Sequence, residues 1–138
     1  MRTLIAIFFI ACVLSASVNA GSTELCNKVL EFLKEKVSIF YFSGKIMIDN
    51  NFMTPEYQAQ YDDSAYEVAQ AIEAGCGGLG DSEVTQIAQA MFETPSVCNQ
   101  NAGEFTISMI KGVESGESKE GVWDSLFMFA TMCEAPQE

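Results

Sequence analysis

Four cysteines, Cys26, Cys76, Cys98 and Cys133, constrain what this chain can fold into more than any other feature, because the rest of the sequence suits a compartment in which thiols pair. That compartment is read from the first twenty residues. Arg2 gives a positive start, Leu4 to Leu14 form a short apolar core, and Val18-Asn19-Ala20 is a small-residue exit before Gly21, which together read as a signal peptide over residues 1–20. The apolar run falls short of the about 20 residues of a spanning helix, and no second such run follows, so a secreted, extracellular protein with no transmembrane anchor is expected. Cys12 leaves with the leader, and the even set that remains predicts two disulfides. Zinc is the competing use of four cysteines, but no pair has the close C-x2-C spacing and the chain contains no histidine, so no metal site is expected. A saposin-like framework is excluded too, since its six cysteines and leading C-x2-C are absent.

Residues 21–138 are long enough to bury one core, and no linker or repeat divides them. Their apolar spacing is helical. Leu25, Val29, Leu33, Val37 and Phe40 form one stripe over Thr23 to Phe42, with Ser22 or Thr23 to cap its start and Gly44 to end it. A hairpin turning at Ser43-Gly44 competes for the second half, but the unbroken stripe favours helix. Thr54-Pro55-Glu56 opens a second helix carrying Tyr57, Tyr61, Ala65, Val68 and Ile72, with Gly75 at its end. A third begins at Asp81, with Val84, Ile87, Ala88 and Met91 inward and Pro95 just past its end. Asn101, with Glu104 three residues on, reads as the capping box of a fourth, which carries Phe105, Met109 and Val113. The fifth, from about Ser118 to Cys133, is apolar around most of its circumference, so it is either central or covers something apolar. The expected fold is all-α, a single compact bundle of about five helices stapled by two disulfides. If successive helices alternate direction, the bridges are Cys26 with Cys76 and Cys98 with Cys133, one of three pairings.

The motifs that carry chemistry elsewhere fail here on context. Gly75-Cys76-Gly77-Gly78-Leu79-Gly80 satisfies G-x-G-x-x-G, but a dinucleotide fold needs a strand before the glycines and this run follows a helix. Histidine-assisted serine or cysteine catalysis has no histidine to use, and the cysteines are expected to be oxidised. Asp62, Asp63 and Glu67 cluster on the second helix as a solvated acidic face. After Asp49 an EF-hand loop would need ligands where Phe52 and Met53 stand. An enzyme is therefore not expected, and no cofactor is implied.

Past the leader, six lysines stand against nineteen carboxylates, a formal balance of −13, with no arginine. A nucleic-acid partner would be repelled and would find no guanidinium fork. The remaining signal is soft apolar volume: eight phenylalanines, four tyrosines, Trp123 and six methionines follow the leader. Two readings follow. The first is a secreted binding protein that carries a small hydrophobic molecule such as a lipid or fatty acid between its helices, lined by Phe40, Phe52, Tyr57, Trp123, Phe127 and Phe129. The second is a secreted signal or effector with no ligand cavity, read by a protein receptor through an apolar patch at Ile39 to Phe42.

Overall fold

Most of the helices begin where the sequence supplies an oxygen for their free N–H groups. In the computed structural model, which describes residues 21–92 and 96–134, there are five: α1 (Thr23–Asp49), α2 (Pro55–Cys76), α3 (Asp81–Met91), α4 (Val97–Ser115) and α5 (Lys119–Glu134). Ser22 Oγ accepts from the Leu25 N–H at 3.1 Å, Thr54 Oγ1 from Tyr57 at 3.2 Å, Ser96 Oγ from Asn99 at 3.2 Å and Ser118 Oγ from Gly121 at 3.1 Å. α3 has no such side-chain cap and instead carries Asp81 and Glu83 in its first turn, where the helix dipole favours negative charge. Among the described residues there is no strand. The signal peptide expected over residues 1–20 lies outside them.

Two boundaries differ from the sequence reading. α4 starts a turn earlier than a box at Asn101 and Glu104 requires, because Ser96 is the cap. Asn101 sits inside the helix, and its amide donates back to the Val97 carbonyl at 2.8 Å. α1 does not stop at Gly44 but continues to Asp49. It ends in a Schellman motif in which the Phe52 N–H reaches the Met47 carbonyl and the Asn51 N–H the Ile48 carbonyl, with Asn51 at φ 60°. Gly44 serves a different purpose: it is buried where α5 crosses, and a Cβ there would stand 2.8 Å from Phe127 Cε1 and 3.1 Å from Trp123 Cη2. Gly75 is likewise internal to α2, backed onto Val29, and the helix closes one residue later.

The core lies between the helices and is filled mainly by aliphatic side chains, among them Leu30, Leu33, Ile72, Val84, Met109, Val122 and Leu126. α5 packs against α1, α2 and α4, so its apolar circumference is that of a central helix. Leu25, expected inward, points outward: the buried face of α1 is Cys26, Leu30, Leu33, Val37, Phe40, Tyr41 and Gly44. The disulfides are Cys26–Cys76, joining the start of α1 to the end of α2, and Cys98–Cys133, joining the start of α4 to the end of α5. With sequence separations of 50 and 35, chain-entropy bookkeeping assigns each a stabilisation of about 4 kcal/mol. The glycine-rich run is the turn from α2 into α3, and the Gly77 carbonyl accepts from the Gly21 N–H at 2.7 Å.

Candidate functional site

The six aromatic residues expected to share one site fall into three places. Phe40, Trp123 and Phe127 come together: Trp123 stacks on Phe127 with ring centroids 5.4 Å apart, and Phe40 lies 6.2 Å from it. Phe129 joins a second group, stacked on Phe105 at 4.2 Å and edge-on to Phe92 at 5.3 Å. Phe52 and Tyr57 are exposed, on the turn after α1 and the first turn of α2. Tyr61, not among the six, completes the first group by stacking on the other side chain's indole, Trp123, at 4.9 Å.

Two members of that group, Phe40 and Tyr61, line a groove between α1 and α2, with Trp123 packed behind them. The groove has a volume of about 540 Å³, within the range of small-molecule sites. Phe32, Ile39 and Phe40 from α1 and Val68 from α2 supply its apolar walls, and Tyr61 faces Ser43 across it, their hydroxyls sharing a hydrogen bond of 3.1 Å. Lys36 stands at the edge, its ammonium 5.3 Å from the centroid of the Phe32 ring, with Glu67 on the opposite wall. The described residues place no carboxylate within 4.0 Å of the Lys36 ammonium, whereas Lys45, Lys111 and Lys119 are paired with Asp49, Asp81 and Asp63. A second groove of about 290 Å³ lies between α4 and α5, and Phe105, Phe129, Met128 and Met132 contribute to it.

Two of the acidic residues of α2 have side-chain partners. Asp63 holds Lys119 at 2.9 Å, and Asp62 accepts from the Gln58 amide at 2.7 Å. Among the described residues no three histidine, cysteine or acidic side chains converge as a metal site, and no helix is long and apolar enough to cross a membrane.

A feature that the sequence reading missed is the outer face of α1. Leu25, Phe32, Ile39 and Ile46 recur at seven-residue spacing, and Phe42 lies one turn from the last two. All five are between 46 and 56 % exposed. Of the patch expected at Ile39 to Phe42, Ile39 and Phe42 belong to this face, while Phe40 and Tyr41 turn into the core. The signal is a seven-residue period beside the four-residue inner stripe, and Leu25 fits both. No protein-family model, curated protein or solved structure matches the chain, so the functional reading rests on these grooves and this face.

Proposed function

We propose that the protein acts outside the cell as a binding protein that holds a hydrophobic small molecule in the groove between α1 and α2. The observation that carries this reading is the combination of apolar walls with Lys36 at the edge, which has no carboxylate within 4.0 Å among the described residues. Burial of an alkyl chain against Phe32, Ile39, Phe40 and Val68 supplies the affinity, at about 0.8 kcal/mol per methylene. Lys36 then favours a carboxylate head, which makes a long-chain acid a better ligand than the matching alcohol. Two disulfides suit an extracellular setting.

Trp123 is the single tryptophan and packs directly under Tyr61 and Phe40, so its emission reports on the groove. Titration of the protein with dodecanoate is expected to change that emission saturably, and dodecanol to bind more weakly. Lys36→Met should weaken dodecanoate about fivefold, equivalent to ~1 kcal/mol, and leave dodecanol unchanged. An unresponsive Trp123, with no dodecanoate adduct in native mass spectrometry, would remove this reading. The exposure of Ile39 and Phe42 favours a second one, a receptor-binding face. On that reading Phe42→Ala abolishes receptor binding with little change in melting temperature.

A further inference from the structure

We propose that the outer face of α1 is covered by a second copy of the same chain, and that this pairing roofs the groove between α1 and α2. The inference rests on the groove being the ligand site, as above, for its second half only.

Three observations support it. The first is the geometry of the stripe. From Leu25 to Ile46 it covers about 31 Å along a straight helix, with Leu25, Phe32, Ile39, Phe42 and Ile46 each about half exposed. Lys28 and Glu35, three residues after Leu25 and Phe32, flank this row with charges of opposite sign. The second is charge. α1 carries four lysines and four carboxylates, whereas the chain after the leader has only two lysines and fifteen carboxylates elsewhere. Two copies of so acidic a protein repel one another over most of their surfaces. α1 is the neutral element, and among the described residues its Lys28 and Lys34 have no carboxylate within 4.0 Å, with Glu24, Glu31 and Glu35 beside them in the sequence. Its face is therefore the one that two copies can bring together without summing like charge. The third is the groove itself. Phe32 and Ile39 belong to both the stripe and the groove wall, and the groove lies open at the surface beside them. A copy seated on the stripe covers it and removes more of a bound alkyl chain from water.

The isologous pair that results has a distinctive salt response. Contact is apolar and neutral while the remaining surfaces repel, so screening strengthens association.

Sedimentation velocity of the chain from Gly21 onward, over a range of concentrations and at low and roughly physiological ionic strength (~0.15 M), tests this. The expected result is a monomer–dimer equilibrium that tightens with salt. Ile39→Glu, at an exposed position, should weaken it at least tenfold with unchanged helicity, and Met128→Glu, on the exposed side of α5, should not. A single monomeric species throughout, or an Ile39→Glu variant that pairs as well as its parent, would overturn the proposal. The Trp123 titration with dodecanoate separates the two readings. A dimer that ignores dodecanoate upholds the pairing and removes the ligand site, whereas a monomer that binds it overturns the pairing and leaves the ligand site standing.

Discussion

Gly44 illustrates how much a single missing methyl group decides. Helix propensity alone favours alanine over glycine in a helix interior by about 1 kcal/mol. Here the absent Cβ is what lets the edge of Phe127 and the indole of Trp123 approach α1 within van der Waals distance. Gly44→Ala is therefore expected to destabilise by about 1–3 kcal/mol, the usual cost of overpacking, as read from urea unfolding. A more stable variant would mean that the rings move aside freely. From the sequence this glycine reads as a helix stop, because nothing local distinguishes a glycine that ends a helix from one that admits a neighbour. Thr54 and the cysteines, by contrast, carry their roles in their own chemistry, and those roles are the ones observed. Glu73 gives a second prediction at this scale. Partial burial and then the carboxylate of Glu114 raise its pKa above the ordinary glutamate value. The fold thus prefers the neutral form: its contribution is complete below about pH 4 and is lost as pH rises through the raised value. Glu73→Gln should melt higher than its parent at pH 7, with the difference vanishing below about pH 4 in paired thermal scans.

At the scale of elements, α1 contains both what was legible and what was not. Its helical character followed from period alone, and the rejected hairpin at Ser43-Gly44 is indeed absent, since the helix runs through both residues. Its orientation did not follow. A helix with apolar residues on two sides offers two candidate inner faces, and only packing against α2, α3 and α5 chooses between them. The choice has a measurable consequence. Leu33→Ala, at a fully buried position, should cost about 2–5 kcal/mol, whereas Ile46→Ala should change the stability of the dilute protein by less than about 0.5 kcal/mol. Equal losses at both positions would show that the outer stripe is structural. The same ambiguity explains the scattered ligand residues. An aromatic side chain announces that it will be buried or will bind, but Phe40, Phe129 and Phe52 sit in a groove wall, a second cluster and an exposed turn for reasons set by neighbouring helices.

For the molecule as a whole, the class, the helix number and the pairing of the sulfurs were all readable, because each depends on patterns longer than a single boundary error. The covalent connectivity that follows has a directional property. Each bridge closes its own stretch of chain, 26 to 76 and 98 to 133, and the two stretches neither overlap nor nest. A protease that nicks the backbone inside either stretch leaves both cut ends tethered to the same molecule. A single nick between Cys76 and Cys98, the segment that includes α3, instead yields two pieces with no bond between them, each keeping its own sulfur bridge. Whether a cut chain stays one molecule therefore turns on the stretch between the two bridges, α3 included, rather than on the strength of either staple.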